Sequence, residues 1–214
     1  MVDPWAGIQT AVGKALAPRL AGQLEPHRYA HDRAMRVVRT IDRLARAIPT
    51  ELRPKRIDLV RTAALYACIG LTAPPRARTS SADNSVDDSA ELAADQLQPF
   101  LSAADIDLTL KILREHHLKE TKLPEAQLLS DAISLEDLGL VGLWNQTRHF
   151  HALGRTLEQL IKLWKTQQEY GYWETRLRDG FHFEPARKVA AARLKQVAPI
   201  FEQLLKQQQA EDVG

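Results

Sequence analysis

Four arginines recur at helical spacing in the first third of the chain: Arg36, Arg39, Arg43 and Arg46. At about 100° per residue they fall on one face of a helix. Guanidinium groups in that arrangement suit phosphates or the carboxylates of an acidic partner. Arg53, Lys55, Arg56 and Arg61 follow closely and enlarge the basic cluster. No aromatic residue interleaves with these cations, which argues against a platform for stacking single-stranded bases. A solvated helix face, partly neutralised by acidic residues further along, is the plainer reading. A second group with binding chemistry is aromatic: Trp164, Tyr170-Gly171-Tyr172-Trp173 and Phe181-His182-Phe183. Such a cluster can line a pocket, form an oligomer contact or pack the last helices together. The lone cysteine, Cys68, sits in an apolar run, which favours an inert buried thiol over a nucleophile. The sequence shows neither a glycine-rich phosphate loop nor a Cys-x-x-Cys zinc spacing.

The chain that must position these groups has 214 residues, 44% of them apolar. That length suits one domain with a buried core, expected here over residues 1–214 with its core at about 29–205. One cysteine rules out an internal disulfide. Charge is unevenly spread: residues 1–80 carry 14 Lys/Arg against 6 Asp/Glu, and residues 81–140 carry 4 against 13. Such asymmetry steers a partner or lets one half of the fold complement the other. No apolar run approaches the ~20 residues of a bilayer span, and the first 24 residues lack the pattern of a signal peptide. A cytoplasmic protein without a membrane partner is expected.

Helical periodicity dominates, with no alternating strand and no hairpin turn, so the expected fold is all-α. Residues 30–48 form the clearest helix, with Val37, Val38, Ile41, Leu44, Ala45 and Ile48 on its apolar face and Pro49 as its stop. Residues 56–69 read as the most core-like helix, ended by Gly70 and Pro74-Pro75. Residues 73–88 read as a mobile loop. Ser89 is expected to cap a helix to about Leu101, and Ser102 with Asp105 one reaching His116 or His117. Pro124 opens a helix over 125–132, and Ser134 with Asp137 repeats the cap pattern. One or two helices are expected over 149–177. A last one runs over 186–208 behind Pro185, bent at Pro199, with Val189, Ala192, Leu194, Val197, Ile200, Phe201 and Leu204 as its stripe and a frayed tail over 209–214.

Five segments in this order resemble the HD-domain phosphohydrolases. They are Arg36-Val37-Val38-Arg39, Ala63-Ala64-Leu65-Tyr66-Ala67-Cys68-Ile69-Gly70, Ser89 to Ala93 with Ile112 to His117, Leu128 to Gly139, and Ala186 to Ala190 with Arg193. The resemblance implies an HD-domain-like helical bundle. In that family a first-helix His, an adjacent His-Asp pair, further His residues and a late Asp hold divalent metals that activate water on a phosphate ester. In this chain Arg33 stands where the first His belongs, Ala67-Cys68 replace the His-Asp pair, and Ile133 replaces a second Asp. His31 lies two residues from the ligand position, about 200° around the helix. Asp131 and one of His116 and His117 keep family-like positions. Outside the resemblance, Asp131 would cap or hydrogen-bond near a helix start at Ser134, and His116 or His117 would suit a helix C-terminus.

The resemblance therefore implies a degenerate member: not an enzyme, without a cofactor, acting as a binding, scaffolding or regulatory module. An alternative is a metal-dependent phosphohydrolase with a site rearranged around His31, His116, His117 and Asp131. A third reading binds nucleic acid, another phosphate-bearing ligand or an acidic protein through Arg36, Arg39, Arg43 and Arg46. The oligomeric state is left open by the sequence.

Overall fold

The computed structural model describes residues 4–19, 26–67 and 83–211, and these are arranged as helices with no strand among them. The chain divides into two compact units, Met1–Ala132 and Ile133–Gly214. Among the described residues no helix is long and apolar enough to cross a membrane.

The first unit is built around one short helix. α1 (Pro4–Arg19), α2 (Pro26–Ala47), α4 (Asp83–Leu97) and α5 (Ala103–Glu115) all pack on α3 (Ile57–Ala67). α3 is buried on nearly every side, through Leu59, Val60, Thr62, Ala63, Ala64, Leu65 and Tyr66. Only Asp58 of this helix is exposed, so it has little solvent face to offer, which places it at the centre. α2 packs beside it with a clean division of faces. All six expected apolar positions of α2 are buried, and Arg39, Arg43 and Arg46 are exposed.

Two polar clamps fix the start of α3. Glu125, in the first turn of α6 (Pro124–Glu136), accepts from the backbone N–H groups of Lys55 (3.1 Å) and Arg56 (3.3 Å). A carboxylate there pairs donors beside the positive end of α3. Arg56 itself donates to Asp58 (2.8 and 3.1 Å) and to Asp105 near the start of α5. α5 is capped as expected, Ser102 Oγ accepting from the Asp105 N–H at 3.2 Å.

Several boundaries differ from the sequence reading. Residues 83–88, expected in a loop, form the first turns of α4, and Ser89 is buried inside that helix instead of capping it. Val86, Ala90, Ala93 and Leu97 continue one apolar stripe back past Ser89, and burial of that stripe outweighs the local capping signal. α4 stops at Leu97, short of Leu101, because Pro99 disfavours helix in the residue before it. The remainder of the expected loop, 73–82, lies outside the described residues. α6 continues through Ser134 to Glu136, so Ser134 is not a helix cap. Ala132 and Leu135 are buried, and that packing carries the helix past the Ser-x-x-Asp pattern.

The second unit contains the last turn of α6, then α7 (Gly139–Ala152), α8 (Leu157–Glu169), α9 (Tyr172–Asp179) and α10 (Glu184–Gln208). The end of α7, α8 and most of α9 occupy the expected 149–177 region, and the helix expected to start at Ser134 begins instead at Gly139 as α7. α10 begins behind Phe183, with Pro185 in its first turn, and continues through Pro199. Its buried line is Ala186, Ala190, Val197 and Phe201, whereas Val189 and Ala192 face solvent. The spacing leaves Arg193 on the same seam, and it donates to the Leu135 carbonyl.

Two glycines shape the α6–α7 turn. Gly139 has φ +75°, and a Cβ there would lie 3.0–3.3 Å from the Cβ, Cγ and Cδ of Arg193. At Gly142 a Cβ would stand 2.3 Å from the Asp137 carbonyl carbon and oxygen, so only glycine lets α7 approach that backbone.

Candidate functional site

The residues suggested by the HD resemblance occupy separate settings. His31 and Arg33 lie on α2, both half-buried, and His31 Nδ1 is 3.8 Å from Asp32 Oδ1. Ala67 is the last residue of α3, and Cys68 lies outside the described residues. His116 is the C-cap of α5 and His117 follows it, their rings edge to face with centroids 5.8 Å apart. His116 Nδ1 is 2.7 Å from the Leu113 carbonyl oxygen. Burial holds the His116 imidazole below its ordinary pKa, partly opposed by the bond to Leu113 and helped by the neighbouring His117. The expected helix C-terminus is therefore where these two histidines sit.

Asp131 is 0% exposed within α6 and is engaged with the protein around it. No helix starts at Ser134, so Asp131 does not cap one. Ile133 is half-buried on the same helix. Among the described residues no group of three or more His, Cys, Asp or Glu side chains is placed to hold a metal ion. His31, His116, His117 and Asp131, all described, therefore do not make such a group with one another. A hard divalent ion needs several oxygen or nitrogen ligands converging at ~2.0–2.6 Å. The described donors do not fit a family-type metal centre.

The basic cluster of the sequence separates into two sets. Arg53, Arg56 and Arg61 serve the fold: Arg53 Nη2 donates to the Ile48 carbonyl at 3.1 Å, Arg56 holds Asp58 and Asp105, and Arg61 Nε donates to Asp42 at 2.6 Å. Arg36 is half-buried and also has an interaction within the protein. Arg39, Arg43 and Arg46 remain as an outward stripe on α2. Their rises along the axis are about 6 and 4.5 Å. Arg46 folds back so that Nε meets the Asp42 carbonyl at 3.1 Å.

In the second unit two further arginines stand out, Arg193, already named in the closing segment of the resemblance, and Arg176, which sequence reading did not single out. Arg193 donates to the Leu135 carbonyl, and Arg176 reaches the Ser134 carbonyl at 3.5 Å and Asp137 at 3.6 Å. Cations on the last carbonyls of a helix satisfy acceptors that the helix itself leaves open, at its negative end. The segment around Ser134 to Asp137 is an arginine-clamped helix C-terminus. The aromatic cluster packs behind it. Trp164 stacks on Phe201 with centroids 4.2 Å apart and planes 4° apart, and Trp173 lies 5.1 Å from Trp164. Packing of the last helices is thus part of its role, while Tyr170 is exposed.

No family model matches this chain, and no curated protein matches it.

Proposed function

We propose that this protein is a degenerate HD-domain-like module that works by binding and performs no metal-dependent hydrolysis. The observation that carries this reading is Asp131. The one acidic position that the chain shares with the family's final motif is fully enclosed in α6, without two further metal-binding side chains gathered around it among the described residues. A carboxylate so placed supports packing and internal hydrogen bonding. Calorimetric titration with Mn²⁺ and with Zn²⁺ tests this. The reading expects no saturable binding that depends on Asp131, and stoichiometric binding lost in Asp131→Asn refutes it.

A second reading concerns the partner. Arg39, Arg43 and Arg46 form an exposed stripe, whereas Arg53, Arg56 and Arg61 are held by internal acceptors. The stripe suits a phosphate-bearing or acidic partner in a cytoplasmic setting. Anisotropy titration of a labelled single-stranded oligonucleotide is expected to show binding that weakens steeply with salt. It is expected to disappear in Arg39→Glu/Arg43→Glu/Arg46→Glu. Binding indifferent to salt, or unchanged in the triple variant, rejects this role.

A further inference from the structure

The first unit carries two exposed charged stripes of opposite sign on different helices. On α2 Arg39 and Arg43 are exposed, with Arg46 beside them. On α4 Asp87, Glu91 and Asp95 are exposed. At about 100° per residue these three acids fall within about 80° of one another, so they form one stripe. No Lys or Arg stands between Arg78 and Lys111 in the sequence, so α4 has no cation of its own to neutralise that stripe. Its apolar residues Ala90, Ala93 and Leu97 are buried on another face.

Neither stripe is used inside the fold. Nothing among the described residues pairs with the side chains of Arg39, Arg43, Asp87, Glu91 or Asp95. The acids that serve the fold are different ones: Asp58 and Asp105 are held by Arg56, and Asp42 by Arg61. The opposite charges of α2 and α4 therefore do not meet within one chain.

Their spacings match. Arg39 and Arg43 are four residues apart, as are Asp87 and Glu91, and Glu91 and Asp95. Each step is a rise of about 6 Å. Two such helices laid side by side bring both arginines to two carboxylates at once, and a guanidinium fork suits a carboxylate. Like stripes repel, so α2 meets α4 and neither meets itself. The contact joins two different patches and is therefore head-to-tail.

We infer that the acidic partner of the α2 stripe is the α4 stripe of a second copy of this chain, with Arg39 and Arg43 against two of Asp87, Glu91 and Asp95. This rests on the reading of the α2 stripe as a docking surface for anionic groups. Exposed ion pairs are individually weak and are screened by salt. The contact is accordingly transient, and the opposite potentials of its two faces speed encounter.

Sedimentation equilibrium of the full chain tests the inference. In about 0.01 M salt the mean mass is expected to rise above the 24.1 kDa of one chain over about 0.1–1 mM protein. In about 1 M salt, where the screening length falls from about 30 Å to about 3 Å, it should return to 24.1 kDa. Arg39→Glu/Arg43→Glu and Glu91→Arg/Asp95→Arg, each shown to be folded by circular dichroism, should both stay at one chain's mass in low salt. An equal mixture of the two should associate again, because each supplies the stripe that suits the other. Lys162→Glu/Lys195→Glu, at exposed positions of α8 and α10, changes the net charge as the arginine variant does and should associate like the natural chain. Glu91→Arg/Asp95→Arg keeps the α2 stripe and should still bind the oligonucleotide. A chain that binds the oligonucleotide but never self-associates therefore refutes this inference and leaves the α2 reading standing. One chain's mass at every concentration in low salt, association unchanged in either stripe variant, loss in the lysine control, or no recovery in the mixture overturns the inference.

Discussion

Replacing Gly139 by alanine tests the α6–α7 turn. The residue sits at φ +75°, and a side chain in that left-handed region costs about 1–2 kcal/mol. The new Cβ would also approach the Arg193 Cβ, Cγ and Cδ at 3.0, 3.1 and 3.3 Å. Arg193 can yield only by loosening its bond to the Leu135 carbonyl, which is worth about 0.5–1.5 kcal/mol. Gly154 supplies the control, because it has φ +66° and no atom within 4 Å of a built Cβ. Both substitutions share the backbone cost and the smaller entropy of the unfolded chain. Their difference isolates the contact with Arg193. Gly139→Ala should therefore destabilise by about 0.5–1.5 kcal/mol more than Gly154→Ala. Three of the four tryptophans, Trp144, Trp164 and Trp173, lie in the second unit, so fluorescence-detected urea unfolding reports on it. The excess should appear as a midpoint lower by about 0.25–0.75 M for m near 2 kcal/mol/M. In an Arg193→Ala background, which keeps the Cβ but removes Cγ, Cδ and the bond to the Leu135 carbonyl, the excess should shrink, as in a double-mutant cycle. Equal midpoints for the two glycine variants, or an excess undiminished in Arg193→Ala, refute the turn geometry described above.

Other outcomes follow from single contacts. Arg56 holds the Asp58 and Asp105 carboxyls below their ordinary pKa through direct hydrogen bonds. A depressed carboxylate stabilises the fold above its unfolded pKa of about 3.9, and this stability is lost as pH falls through the lowered folded value. In acid unfolding followed by circular dichroism, the gap between the natural chain and Arg56→Ala should therefore narrow at low pH. Burial lowers the His116 pKa, so the unfolded chain takes up this proton first. Stability present above about pH 6.5 should fall as pH drops towards the lowered folded value, and His116→Gln should flatten that part of the profile. Ser102→Ala removes the cap on α5 and should cost about 1 kcal/mol in urea unfolding.

What the sequence disclosed follows the range of each signal. The α2 face was legible because six apolar residues repeat at a period that only a helix serves, and all six are buried. The Ser102 cap was legible because its whole mechanism lies within four residues. Ser134 carries the same local pattern, yet the buried stripe through Ala132 and Leu135 extends α6 past it. Ser89 was misread as a helix start for the same reason. The roles of Glu125, Arg176 and Arg193 rest on partners 42–70 residues away, and no spacing rule within one sequence exposes such pairs.

The proposal at stake is that this chain is an HD-like module without a metal-dependent active site. Phosphatase turnover measured with Mn²⁺, Mg²⁺, Ni²⁺ and Zn²⁺, for the natural chain and for Asp131→Asn shown to be folded by circular dichroism, addresses it most directly. The account predicts no metal-dependent turnover in either protein. Robust turnover in the natural chain that disappears in folded Asp131→Asn contradicts it.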